Sequence, residues 1–295
     1  MAYFPKTVPE LADILGVTTQ ELSFWAGSVE RSVRLKKIPK PNGESRPITV
    51  PVHSLKIFLS RLDDAVLRKV LLHPLLYHRP GSSYLEMVKQ HRKCKCLITA
   101  DIDEFYPTVS PKKVLKSLLA EGFSEDAAMV ITRLTTVSYS LPQGFPTSPT
   151  IAGIVLRPVG ERLSGLSGAC GFRIGLYADN LAISAKYNPR KFEGLIKRIF
   201  LQNGFDLDKW KVMTREDRQE IMNIVVNNGM SVKPEYREEV RRDIFMLSKL
   251  KSSDSNGDFP KQLKSVQGKL NHIRSVNTHQ ADVLCRYAKK LAVRI

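Results

Sequence analysis

Two aspartates set in apolar, strand-like runs constrain this chain most. Asp101 sits in Leu97-Ile98-Thr99-Ala100-Asp101-Ile102, and Asp179 sits between the apolar runs Phe172 to Leu176 and Leu181 to Ala185. Short apolar runs of this length read as buried strands. A carboxylate on a buried strand is costly unless it is paired or holds a cation. Two strands that deliver two Asp residues to one point meet the central demand of two-metal phosphoryl transfer. Magnesium takes hard oxygen donors, which Asp supplies and His and Cys do not. The expected ligands are therefore Asp101 and Asp179, with the Ile102 carbonyl as a helper. Asp103 alternates onto the face of Asp101 and is expected to be solvated or to support the ligands from behind.

Charge says what the partner is. The chain has 295 residues, 46 Lys and Arg against 29 Asp and Glu, and a net charge of +17. Residues 31–95 hold 15 basic and 4 acidic residues, and residues 251–295 hold 9 and 3. An excess of this size beside ordinary apolar content points to a polyanion, and nucleic acid is the expected one. The four cysteines, Cys94, Cys96, Cys170 and Cys285, have no disulfide-framework spacing. No second Cys or His pair completes a zinc set around Cys94 and Cys96, so free thiols in a reducing cytoplasm are expected. The start of the chain lacks the apolar stretch of a signal peptide, and no apolar run is long enough to cross a membrane.

The segments between follow from periodicity. Residues 8–27 read as two short helices around Gly16, the second opened by the capping box Thr18-Thr19-Gln20-Glu21. Thr19 to Ala26 contains no basic residue, so a packing role is expected rather than DNA reading. Residues 33–40 and 45–50 read as a hairpin that puts Lys36 and Lys40 on one face, with Arg46 following on the return strand. Such a cationic hairpin suits a nucleotide triphosphate, although lysines also protect exposed strand edges. Helices are expected over 54–77, 111–119, 127–134, 189–202 and 234–250. Another runs from an N-cap at Ser148, with Pro149 at its first position, through Leu163. Residues 221–232 read as a short hairpin, 252–258 as a polar loop, and 263–293 as a helix pair with an apolar stripe. Lys264, Lys269, Arg274 and Arg286 are its candidate RNA-binding cations.

Three segments together resemble a known family. They are Ala100-Asp101-Ile102-Asp103-Glu104-Phe105-Tyr106, the loop Leu141-Pro142-Gln143-Gly144-Phe145-Pro146-Thr147-Ser148-Pro149, and Tyr177-Ala178-Asp179-Asn180. They resemble the palm of a reverse transcriptase, most closely a bacterial retron reverse transcriptase. The likeness extends to Ser83-Tyr84-Leu85 leading to His91, and to the closing Gln267-Gly268-Lys269-Leu270-Asn271-His272. Three places depart from it: Met87-Val88 replaces Asn-Ala, Ile221-Met222-Asn223 replaces Val-Thr-Gly, and Asn180 replaces the second Asp of Tyr-Ala-Asp-Asp. Asn keeps the size of Asp and one carbonyl oxygen but loses the charge, so the fold should survive while metal affinity falls.

The resemblance implies an α+β right hand. Its parts would be a helical extension over 1–30, fingers over 31–100, a palm over 101–215 with some fingers segments, and a thumb with an RNA-binding tail over 216–295. It implies Asp101, Asp179 and the weakened Asn180 as catalytic metal positions for two magnesium ions. Lys40, Arg46, Tyr106, Gln143, Gly144 and Lys211 become the nucleotide-binding set. Tyr106 is the wall that excludes a 2′-hydroxyl, Gln143 and Gly144 hold template and nucleotide, and Lys211 balances the metal-site charge. The implied partners are deoxynucleoside triphosphates, a structured non-coding RNA with its RNA–DNA hybrid product, and a toxin or effector protein in anti-phage defence. A catalytically silent nucleic-acid scaffold and a template-independent defence polymerase are the alternatives.

Overall fold

The computed structural model describes residues 4–39, 43, 45–78, 81–250 and 258–293. Helices α1 (Val8–Leu15) and α2 (Thr19–Ser28) are separated by Gly16, whose φ of +63° ends α1 in the left-handed conformation. Thr18 and Glu21 close the expected capping box. Strands β1 (Val33–Pro39) and β2 (Ser45–Pro51) pair antiparallel with Ile38 opposite Arg46 and Lys36 opposite Ile48, so Arg46 shares a face with Lys36. Lys40 lies outside the described residues, as does most of the polar 252–258 loop.

Helix α3 (His53–Ala65) is shorter than its periodicity suggests. Val66 leaves helical angles (φ −124°, ψ −62°), and Val66 and Leu67 turn inward and are buried. Then come α4 (Tyr84–Gln90), β3 (Cys96–Ile102), α5 (Phe105–Thr108), α6 (Pro111–Ala120) and α7 (Glu125–Thr135). The helix expected over 148–163 is two: α8 (Ser148–Val155) and α9 (Arg157–Cys170). Pro158 has no N–H for the Ile154 carbonyl, so one helix cannot run through. The N-cap is Thr147, not Ser148. The Ser148 hydroxyl instead donates to the Pro142 carbonyl at 2.7 Å and pins the loop ahead of the helix.

Strands β4 (Arg173–Tyr177) and β5 (Asn180–Ala185) are followed by a 3₁₀ turn, α10 (Glu193–Leu201) and β6 (Leu207–Thr214). The expected hairpin over 221–232 is a three-stranded meander of β7 (Glu220–Ile221), β8 (Ile224–Val225) and β9 (Ser231–Val232). Met222 and Asn223 both have positive φ (47° and 68°), which makes the extra tight turn. Helices α11 (Pro234–Leu250), α12 (Asp258–Val276) and α13 (Thr278–Lys290) close the chain.

The central sheet has the order β4-β5-β3-β6. The chain forms two compact units interleaved in sequence: Met1–Tyr84, Ala100–Leu181 and Arg190–Trp210 in one, and Leu85–Thr99, Ala182–Pro189 and Lys211–Ile295 in the other. In the first, α1 packs on α3 and α7, and Leu11, Leu15 and Leu22 are fully buried, so the N-terminal helices serve packing. Trp25 stacks on Phe58 with ring centroids 5.9 Å apart. In the second, α11, α12 and α13 pack on one another through Val240, Ile244, Leu270, Ile273 and Leu284.

Candidate active site

The two aspartates meet because β3 and β5 are neighbours. Asp101 is next to last in β3, and Asp179 lies in the turn between β4 and β5. The Ile102 N–H donates to the Asp179 carbonyl at 2.8 Å, which fixes the turn against the end of β3. Ala178 has a φ of +52°, an uncommon left-handed conformation for a residue with a Cβ. Burial raises the Asp179 carboxyl above the usual carboxylate range, and the nearby Asp101 charge raises it further. A buried carboxylate made costlier to ionise by a second carboxylate beside it is a setting a divalent cation relieves.

Asn180 changes that setting. Its Nδ2 donates to Asp179 Oδ1 at 2.9 Å, so the amide occupies one lone pair of that carboxylate. Among the described residues no group of three His, Cys, Asp or Glu side chains converges as a metal set. The oxygens of Asp101 and Asp179 fit magnesium, and the third position offers at most a neutral amide oxygen.

The cation on this pair in the protein itself is Lys209. Its Nζ donates to Asp101 Oδ2 at 2.9 Å, and that hydrogen bond raises the lysine pKa. The expected residue was Lys211, which instead lies in the second unit near Asp217. The reason is local: Lys209 has a φ of +50°, which interrupts the alternation of β6 and turns its side chain to Asp101. A positive φ inside a strand leaves no mark in periodicity, so the choice between Lys209 and Lys211 was not legible in the sequence. Asp103 is exposed, with its N–H bonded to the Asp206 carbonyl at 3.0 Å.

A cavity of about 520 Å³ opens above the carboxylates, lined among others by Arg46, Tyr106, Gln143 and Lys209. Arg46 Nε donates to Gln143 Oε1, and the Thr49 N–H donates to the Gln143 carbonyl at 2.8 Å. The cationic hairpin and the Pro142-Gln143-Gly144 loop are thus one wall. Gly144 is required there. Its φ is +122°, and a Cβ would stand 2.5 Å from the Thr49 carbonyl oxygen and 2.7 Å from Ile48 Cγ2. Tyr106 is raised in pKa by burial and by the Asp179 charge, which places its phenol beside the ligand. Phe105 fills the core, with its ring centroid 5.8 Å from that of Phe205.

The four tail cations have separate fates in the second unit. Lys264, Arg274 and Arg286 are exposed. Lys269 is committed to Glu239 (2.5 Å) and Asp243 (2.7 Å) and joins α12 to α11, so it is a structural residue rather than a free grip. Arg286 instead lines a cavity of about 610 Å³ with Arg237, Arg241, Tyr287 and Lys290. Helix α11 supplies Arg237, Glu238 and Arg241 to that groove, and α13 the rest. His91 is fully buried with Nδ1 2.8 Å from Ser184 Oγ, a bracing role inside the second unit. No described helix is long and apolar enough to cross a membrane.

Comparison with known proteins agrees with this geometry. The profile of the family described as reverse transcriptase (RNA-dependent DNA polymerase) matches residues 38–235. The Retron Mx65 reverse transcriptase of Myxococcus xanthus is 25% identical over 312 residues, which cover 96% of this chain and 71% of that protein. The Retron Ec86 reverse transcriptase of Escherichia coli is 23% identical over 283 residues, 94% of this chain and 86% of that one. For the Retron Mx162 reverse transcriptase of M. xanthus the figures are 27% identity, 79% of this chain and 56% of the relative. A foamy viral protease–reverse transcriptase solved with double-stranded DNA shares the fold at a TM-score of 0.50 and 15% identity, over 88% of this chain and 43% of that one.

Proposed function

Since the chain belongs to the reverse transcriptase family and is of retron type, we propose that it copies part of a cognate structured RNA into DNA at Asp101 and Asp179, with turnover weakened by Asn180. One observation carries this: the desolvated Asp179 carboxylate held beside Asp101 under a wall made by Arg46, Gln143 and Gly144. Magnesium, held by Asp101 and Asp179 with the Asn180 amide as a weak third partner, would supply Lewis-acid activation of a primer hydroxyl and neutralise triphosphate charge. Arg46 offers a fixed guanidinium to the triphosphate. Tyr106 walls the sugar beside Asp179. Lys209 releases Asp101 when a stronger cation arrives, since an exposed ammonium pair is worth only about 0–1 kcal/mol.

The net charge of +17 supports nucleic acid as the partner, and the resemblance to retron reverse transcriptases implies a folded RNA that serves as both template and primer. Defence against phage, with an effector protein bound to the RNA–DNA hybrid, extends the same reading. A second reading, a silent scaffold for such a nucleic acid, is favoured by the Asn180 hydrogen bond to Asp179. Sequencing the nucleic acid that co-purifies with the chain separates them. The proposal expects one defined RNA with DNA joined to or paired with it. Defined RNA without DNA supports the scaffold, and random DNA contradicts both.

A further inference from the structure

The turn that carries Asp179 leans on a histidine that the site description has not used. Residues 75–77 run parallel to β4: the Leu176 N–H donates to the Leu75 carbonyl at 2.8 Å, and the Tyr77 N–H to the Leu176 carbonyl at 2.7 Å. This edge pairing delivers His78 alongside the turn. There the Ala178 N–H donates to His78 Nδ1 at 3.2 Å, and the ring meets Tyr177 edge-on at 6.4 Å. A ring nitrogen that accepts carries no proton, so the proton sits on Nε2 and the imidazole is neutral. Burial keeps it so, with a pKa lowered to about 4.

The far side of the ring faces α8. Nε2 is sealed from solvent without a well-aligned partner and is turned toward the Pro149 carbonyl in the first turn of that helix. Gly153, one turn on, leaves the room: a Cβ there would stand 2.9 Å from Nε2. Helix α8 follows directly from the Gln143-Gly144 loop, so one ring touches both segments that build the site.

We propose that His78 is a positioning residue for the metal site: its Nδ1 holds the Ala178 N–H, and so the left-handed turn that presents Asp179 beside Asp101, while its other edge seats that turn on α8. A left-handed alanine is strained and persists only where its surroundings over-determine it. The Ile102 bond to the Asp179 carbonyl is one restraint, and His78 is the second. The inference rests on the reading that Asp101 and Asp179 hold a divalent ion.

The test uses manganese as the probe, titrated by electron paramagnetic resonance against the full chain, and needs no turnover. His78→Asn keeps an acceptor at the Nδ1 position, whereas His78→Gln places its amide at the Nε2 position. The pair separates hydrogen bonding from space filling even if His78→Leu fails to fold. His78→Asn is expected to bind Mn²⁺ within about 3-fold of the parent, and His78→Gln at least ~10-fold more weakly, the usual effect of losing a ligand's support. Equal affinities in the two variants, with equal melting temperatures, overturn the proposal. Asp101→Ala and Asp179→Ala run alongside. If neither lowers Mn²⁺ affinity, the metal-site reading falls and this inference with it. If both lower it while Asn and Gln match, only the role of His78 falls.

Discussion

Asp179 carries opposite demands, because the chemistry needs it charged and the fold does not. Burial and the neighbouring Asp101 raise its pKa, so the native state holds the proton more tightly than the unfolded chain. Ionising it therefore opposes folding. The penalty is absent below the unfolded pKa and present in full above the folded one. Asp179→Asn should raise the melting temperature in EDTA at pH 8 by on the order of 1–4 °C. The gain should vanish as pH falls below about 4, the unfolded value, where the carboxyl is protonated in both states. Melts of both proteins across that range check this, and a gain independent of pH would contradict it. At this scale the sequence was legible where chemistry is costly. Asp101 and Asp179 stood out because carboxylates set among apolar strand-like runs need a reason, and Tyr106 stood out through the family resemblance. Lys209 and His78 did not, since a left-handed residue within a strand and an edge pairing choose them.

Element boundaries tell the same story from the other side. Periodicity gave the amphipathic helices and both catalytic strands. It misplaced the breaks at Val66 and Pro158 and missed β6, whose Leu207-Asp208-Lys209-Trp210-Lys211 lacks apolar alternation. The junction of β2 with the 141–149 loop is decided by packing. Only a residue without a Cβ fits Gly144 against the Thr49 carbonyl, at a φ that other residues avoid. Gly144→Ala is expected to cost roughly 1–3 kcal/mol and to push Gln143 off β2. The urea midpoint should fall, and the KM for deoxynucleotide should rise more than that loss of stability explains. An unchanged midpoint and KM would show that the wall is not as tight as its geometry. Helix α12 makes a parallel point, since Lys269 looked like a phosphate grip and is an ion-pair strut.

For the whole molecule, charge and carboxylates were readable before any coordinates. The interleaving of two units was not, because each is assembled from three separated stretches of chain. The family match over residues 38–235 and the geometry of Asp101, Asp179, Arg46 and Gln143 converge on RNA-directed DNA synthesis. What sets this chain apart is Asn180, which gives Asp179 a hydrogen bond where the family pattern has a charge. The central claim is that this one missing charge, not the fold, limits turnover. Primer extension on an RNA template at saturating magnesium tests it, comparing the chain with Asn180→Asp and with Asp101→Ala added to that variant. Asn180→Asp should extend at least ~10-fold faster, a barrier change of about 1.4 kcal/mol, and the added Asp101→Ala should abolish extension. Equal rates with Asn and Asp at position 180 would contradict the account.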